Sequence, residues 1–308
     1  MMSRLTTIAL LGIGVLCTPV FGANSAHPGT LNYIEGAAYL QGKLLNEKDV
    51  GSVEMNAGEE LSTMTGKAEI LLTPGVFLRV DDNSAVKMIS PDITRTQVEL
   101  DRGLASVEVD ELHDQNDLEI VDAGVTTQLV KTGYYEFDAS HPTAMVFKGK
   151  AAVEVSDGKY KVVKNHHEFA LVGGAREKAA SFDADGADDD LYKWSSLRSE
   201  YLAEASNQIG GEYAGAYGFS PGWYWDPYMW DYAFVGMGPY WSPFGFGFYP
   251  PWGWGGGYWG GGFYGGRHIG RGFGGRGYGG GMGRGGVRGG GFHGGGFGGG
   301  HGGGGGHR

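Results

Sequence analysis

The chain has 308 residues, a formal net charge of −11, a single cysteine and 61 glycines. That glycine content is far above the ordinary ~7%. Most of it falls after position 210, where apolar residues other than aromatics nearly vanish, so a conventional core is excluded there and expected only in residues 31–209.

Charge is divided in the same way. Asp231 is the last acidic residue, and Arg267, Arg271, Arg276, Arg284, Arg288 and Arg308 follow it. The preceding body keeps 18 Lys+Arg against all 35 Asp+Glu, which argues against nucleic acid as its partner.

Residues 1–26 read as a secretory signal peptide. Arg4 supplies the positive start, an apolar run covers 5–16, Pro19 breaks it, and the small residues Gly22, Ala23 and Ala26 follow. The run is shorter than the ~20 apolar residues of a spanning helix, so a retained anchor is the weaker reading. Cleavage after Gly22 or after Ala26 removes Cys17, and the mature chain then has no disulfide.

Residues 27–174 read as a β-domain. A first hairpin is expected around Gln41-Gly42, and a weak strand over 50–55. Short apolar runs at 68–72, 76–80, 85–89, 97–100 and 104–109 alternate with Gly66, Pro74-Gly75, Asp81-Asp82-Asn83, Pro91-Asp92 and Asp101-Arg102-Gly103. Such turn spacing predicts an all-β fold, with Gly103 in the left-handed position of a three-residue hairpin loop. After a polar loop at 113–117, further strands are expected at 118–121, 125–130, 134–137, 144–147 and 152–155. Asp157-Gly158 is the strongest hairpin signal, and 168–172 closes the β part.

Several of these steps resemble the FecR domain. They are Ala57-Gly58-Glu59-Glu60-Leu61-Ser62-Thr63, Ala68-Glu69-Ile70-Leu71-Leu72, Gly75-Val76-Phe77-Leu78-Arg79-Val80 and Val98-Glu99-Leu100-Asp101-Arg102-Gly103-Leu104. Lys131-Thr132-Gly133-Tyr134 stands where the family usually continues with Gly-Thr and a strand. The resemblance covers residues 31–172. It implies a mainly β domain, a solenoid-like β-roll or irregular β-sandwich, in an exported protein of the bacterial envelope. Family regulators carry signals from outer-membrane receptors to sigma factors through a cytoplasmic arm and one membrane helix. Neither feature is legible here, so direct sigma-factor control is not expected.

Residues 175–187 read as a polar linker and 188–209 as one docking helix. Asp188-Asp189-Asp190 suits its N-terminus and Gly210-Gly211 its end. Leu191, Trp194, Leu197, Tyr201, Leu202 and Ala205 form its apolar stripe, with Arg198 intruding. The helix also resembles one that often follows FecR domains.

Residues 210–264 are crowded with Trp, Tyr, Phe, Pro and Gly, and 265–308 form a Gly/Arg/His-rich tail expected to be disordered. Residues 210–308 are expected to lie outside the folded core and to attach the protein to the envelope. The candidate contacts are Trp223, Trp225, Trp230, Trp241, Trp252, Trp254 and Trp259, which can stack on sugars, membranes or one another, and Arg267, Arg271 and Arg276, which can meet anionic polymers.

No catalytic constellation emerges. Gly218-Phe219-Ser220-Pro221-Gly222 matches a nucleophile elbow without the strand and helix that chemistry needs. Gly270-Arg271-Gly272-Phe273-Gly274-Gly275 matches a dinucleotide loop without its surrounding βαβ unit. The aspartates at 183–190 lack a calcium-loop spacing. His166 and His167 are adjacent on an expected strand and so point apart. His293, His301 and His307 imply no rigid metal site.

The expectation is a non-enzymatic, cofactor-free binding or sensing module that makes protein or glycan contacts through its β-domain, in the periplasm, outer envelope or extracellular space. Its partner would be an envelope protein or polysaccharide, with peripheral membrane contact through the tail and no transmembrane segment in the mature chain. The alternative is a structural surface or matrix protein held by its Gly/aromatic tail.

Overall fold

In Val76-Phe77-Leu78-Arg79-Val80 alternate side chains point to opposite faces of a strand. Both faces of this strand are covered, for all five residues are at most 1% exposed or lie in the fully buried class. An apolar core lies on one side and a helix on the other, and this double coverage organises the molecule.

The computed structural model describes residues 26–156, 158–172, 178–213 and 220–249, all within the unit Met1–Trp259. The elements in chain order are β1 (Leu31–Leu40), β2 (Lys43–Leu44), a 3-10 turn (Glu47–Asp49), β3 (Glu60–Leu71), β4 (Val76–Val80), β5 (Ala85–Asp92), β6 (Arg95–Arg102) and β7 (Leu104–Val109). Then come β8 (Asp117–Asp122), β9 (Val125–Leu129), β10 (Gly133–Asp138), β11 (Thr143–Lys148), β12 (Lys150–Ser156), β13 (Lys159–Lys164), β14 (His167–Ala170) and β15 (Ala180–Ser181). The helix α1 (Asp190–Glu212) follows, and then β16 (Gly222–Asp226), β17 (Asp231–Val235), β18 (Tyr240–Trp241) and β19 (Gly247–Phe248).

The long strand β3 is the pivot. One edge carries β1; the other carries β5 at its start (Ser62 opposite Ala85) and β4 at its end (Ala68 opposite Val80). The sheet thus divides into two limbs, β5-β6-β8-β9-β12-β13 and β4-β7-β10-β11-β14-β15. Inner residues of both limbs, such as Val86, Val98, Ile120 and Val153 from one and Leu78, Val107, Tyr135 and Phe137 from the other, form one buried cluster. The result is a mainly β, sandwich-like body with one α-helix, as expected. The β6–β8 pair is parallel, and the other strand pairs among the described residues are antiparallel.

Several boundaries differ from the sequence reading. The turn at Gly103 has the expected left-handed backbone (φ 76°), but it does not close a hairpin. β6 pairs with β5 and β8, while β7 pairs with β4 and β10, so Gly103 carries the chain from one limb to the other. A Cβ there would collide with Ser84. Pro91-Asp92 is not a break; β5 runs through it and turns at Ile93-Thr94. Residues 50–55 form no strand, and only a single bridge joins Thr30 to Glu54. The linker holds β15, paired to β14. The first hairpin at Gln41-Gly42 and the β12–β13 hairpin form where expected.

Helix α1 starts as read, with Asp189 accepting from the Tyr192 N–H at 2.8 Å. Gly210-Gly211 do not stop it, because it continues to Glu212 with Gly210 buried. The inward face is Leu191, Trp194, Ser195, Arg198, Ser199, Leu202, Ala205, Ser206 and Ile209. Leu197 and Tyr201, read as part of the stripe, are exposed.

The expectation that everything after 210 lies outside the folded core is overturned. Tyr232, Ala233, Phe234, Val235 and Phe248 are buried with Leu71 and Phe77 of the sheet and Leu202, Ala203, Ala205 and Ile209 of the helix. Aromatic burial outweighs the entropic cost of the intervening glycines. Residues 250–308 lie outside the described residues.

Candidate functional site

Two features stand out: a buried charged layer that mounts the C-terminal hairpin, and the exposed tip of that hairpin.

The layer arises from the outer-face residues of the second limb. Glu69 on β3 stands opposite Arg79 on β4, Arg79 opposite Ser106 on β7, and Ser106 opposite Glu136 on β10. Such residues normally face water, but here α1 covers them. Arg79 Nε donates to Glu69 Oε2 at 2.8 Å and its Nη1 to Glu108 Oε2 at 2.5 Å. Arg198 Nη2 reaches down from the helix to Glu69 Oε1 at 2.9 Å and across to Asp231 Oδ2 at 2.7 Å. Its guanidinium carbon lies 4.1 Å from the centre of the Tyr33 ring.

Ser199 Oγ donates to Glu108 Oε1 at 2.6 Å, and Tyr134 donates its hydroxyl hydrogen to Glu136 Oε1 at 2.7 Å. Asn32 Nδ2 donates to Glu69 Oε1 at 2.8 Å and to the Tyr232 carbonyl, while its Oδ1 accepts the Tyr232 N–H at 2.7 Å. Small serines on the inward helix face let α1 approach closely enough to bond the carboxylates below.

Burial alone would raise the Glu69 carboxyl, but the guanidiniums of Arg198 and Arg79 outweigh it and bring the pKa down to about 2. Glu136 meets no guanidinium. Burial, with Asp189 and Asp81 nearby, pushes it up to about 8. Asp110 is likewise raised well above the usual carboxylate range by burial and by the neighbouring Glu108. The layer therefore holds two guanidiniums, the carboxyl groups of Glu69, Glu108 and Asp231 that pair with them, and the carboxyls of Glu136 and Asp110, which burial pushes up. Buried pairs of this kind add little net stability but fix one arrangement, because a displaced partner leaves a buried charge uncompensated.

This lock mounts the β16–β17 hairpin. Trp223 turns inward, edge-on to Phe77 (5.2 Å between ring centres) and Phe234 (5.7 Å). Read as a free stacking contact of the tail, it is instead part of the packing. Trp225 is half-buried. It packs on Tyr232 at 5.1 Å and lies edge-on to Trp230 at 6.0 Å. Gly51 makes room for it, since a Cβ there would come within 2.6 Å of the Trp225 ring.

The loop between the strands is Pro227-Tyr228-Met229-Trp230. Tyr228 is 75% exposed, Trp230 69% and Met229 37%. Asp226, itself buried, ties the loop down: its Oδ1 accepts from the N–H of Tyr228 (2.8 Å) and Met229 (3.4 Å), and its carbonyl accepts from Trp230 (2.9 Å). Trp230 is held at φ 56°, an unusual backbone for a bulky residue.

Of the other residues read as contacts, Trp241 is 63% exposed on β18. Trp252, Trp254, Trp259, Arg267, Arg271 and Arg276 lie outside the described residues, as do the tail histidines and the dinucleotide-like motif. Ser220 precedes β16, with no strand leading into it among the described residues. His166 sits in a turn with φ 58° and His167 begins β14. The Gly/aromatic composition drew attention to the tryptophans. Nothing in it separated Trp223, which packs inward, from Trp230, which stands largely in solvent. Arg198 was visible only as a charge on an apolar stripe.

A cleft of about 270 Å³ lies elsewhere, lined by Tyr134, Phe147, Tyr192 and Phe244 together with Lys148 and His166. Its aromatic rings contact one another at 4.8–5.6 Å between centres. Among the described residues no helix is long and apolar enough to cross a membrane.

No family model and no curated protein matches the chain. Two crystal structures of a candidate anti-sigma factor from Parabacteroides distasonis, at 2.50 and 1.65 Å resolution, are similar in part. Each match has 12% sequence identity and a TM-score of 0.34, and covers 46% of this chain and 64% of the other. A likeness at that level says nothing about what this chain does or binds.

Proposed function

We propose that the chain is a non-enzymatic, exported binding or sensing module of the bacterial cell envelope, and that it makes contact through the aromatic tip at residues 227–230. The observation that carries this reading is the mounting of that tip. Tyr228 and Trp230 stand largely in solvent, with Met229 partly exposed between them, on a loop whose backbone is fixed by Asp226 and whose base is locked to the sheet through Asp231, Arg198 and Glu69. A preorganised exposed patch loses little entropy on binding, which is what a contact surface requires.

The signal-peptide pattern of residues 1–26 supports export, and the FecR-like steps in residues 31–172 support an envelope setting. A sensing role would follow if the contact were transmitted through the charged layer to the sheet.

The reading is tested by placing a photo-crosslinking residue at Met229, and separately at Lys161 on β13, in the native envelope. Adducts with an envelope component from position 229 but not from 161 are expected. Equal capture at both positions, or none at 229, would refute it.

A further inference from the structure

Resting on that reading, we infer that what the tip contacts is the interfacial zone of a lipid bilayer, which the loop enters as a shallow, self-satisfied apolar wedge.

Three observations point to lipid rather than to a protein or sugar surface. The first is hydrogen bonding. Pro227 has no N–H, and the N–H groups of Tyr228, Met229 and Trp230 are all taken by Asp226. A partner protein or glycan would be recognised through such donors, whereas a bilayer offers few partners for them and penalises any left unpaired. The loop arrives with its backbone donors already satisfied.

The second is charge. The loop carries no ionisable group apart from the Tyr228 phenol. The two aspartates at its base, Asp226 and Asp231, are 2% and 1% exposed and turned inward. The carboxylates that adjoin the loop in sequence are thus turned away from the point of contact.

The third is side-chain type and shape. Tyr and Trp pair an apolar ring with one polar atom and favour the membrane–water boundary, and Met is flexible and apolar. Exposures of 75% and 69% mark a projecting tip, not a groove that could enclose a ligand. The left-handed backbone of Trp230 turns its ring outward beside Trp225, so the wedge is set before contact.

The test uses the full mature chain and vesicles of zwitterionic phosphatidylcholine at high salt, which suppresses any contribution from the tail arginines. The comparison is with Tyr228→Ser/Met229→Ser/Trp230→Asn. Asn tolerates the left-handed backbone at 230, and an unchanged thermal unfolding midpoint confirms the fold. Wild-type protein should co-sediment with the vesicles, and the triple variant should lose about tenfold or more in apparent partition. Equal partition of the two proteins, or no partition of the wild type, overturns the lipid assignment. If position 229 still crosslinks to an envelope protein or glycan in that case, the wider reading of the tip as a contact surface survives. If it crosslinks to nothing, both fall.

Discussion

Arg198 Nη2 and Asp231 Oδ2, 33 residues apart in sequence, lie 2.7 Å apart, both residues at most 3% exposed, and join the helix to the hairpin. The same nitrogen holds Glu69 at 2.9 Å, so helix, hairpin and sheet meet at one guanidinium. Removing it strands the buried Asp231 carboxylate and leaves Glu69 with one guanidinium, that of Arg79. Arg198→Ala is expected to cost about 3–5 kcal/mol. Arg198→Lys should recover only part of the loss, because an ammonium cannot reproduce the planar fork. Urea denaturation of the two variants checks this, and an unchanged midpoint for Arg198→Ala would show that the pairs do not form.

Glu136 gives the stability a pH dependence of definite sign. Its folded pKa of about 8 lies above its ordinary value of 4.5. The folded state therefore holds a proton that the unfolded chain has released, and stability falls as pH rises from about 4.5 to about 8. Glu69 acts in the opposite sense in a lower window. Its carboxylate, brought down to about 2, contributes stability that is present above 4.5 and is lost as pH falls toward 2. Melting temperature should thus decline from mild acid toward pH 8, and Glu136→Gln should flatten that decline. A slope unaffected by the substitution would contradict the assignment.

Trp194 is 9% exposed on the inward helix face. Its indole N–H donates to Glu35 Oε2 at 2.8 Å and its ring lies 6.1 Å from that of Tyr33. Trp194→Ala should cost about 3–5 kcal/mol, and Trp194→Phe less, since it keeps the packing and loses only the hydrogen bond. Thermal denaturation distinguishes the two.

Gly103 marks the crossover between the limbs. With φ at 76° and Ser84 where an added Cβ would go, Gly103→Ala combines a strained backbone with a collision. We expect a loss of about 1–3 kcal/mol. Gly158, also at positive φ but with open space around it, should tolerate Ala better. Comparable losses at the two sites would mean that the crossover is not tightly packed.

The strand-rich body was legible because its inner residues alternate cleanly, as in Val76-Leu78-Val80 and Val107-Val109, and because Asn, Asp and Gly punctuate the runs. Local pattern gave no access to partner choice. Asp101-Arg102-Gly103 has the composition of a hairpin loop whether the flanking strands pair or part, and only the long-range register decides. The charged layer was hidden for a related reason. Glu69, Arg79, Glu108 and Glu136 occupy every second position, which reads as a solvent face until a helix is found on top of it. Ser195, Arg198 and Ser199 lie at inward helical positions normally held by apolar residues. Glycine content obscured the hairpin, for in residues 222–248 a few buried aromatics decide the packing and composition averages them away. Trp223 packs because it lies on β16, and Trp230 is exposed because it lies in the loop beyond that strand, a division invisible in a segment that did not read as strand.

The claim on which the rest depends is that residues 222–235 are mounted on the sheet by α1. Hydrogen–deuterium exchange read by mass spectrometry addresses it, by comparing peptides covering β17 and β4 in the wild-type chain and in Arg198→Ala. We expect β17 to be protected nearly as well as β4 in the wild type, and to lose protection selectively in the variant while β4 keeps most of its own. Rapid exchange of β17 in the wild type, with β4 fully protected, would mean that the hairpin is not held on the body and would contradict the account.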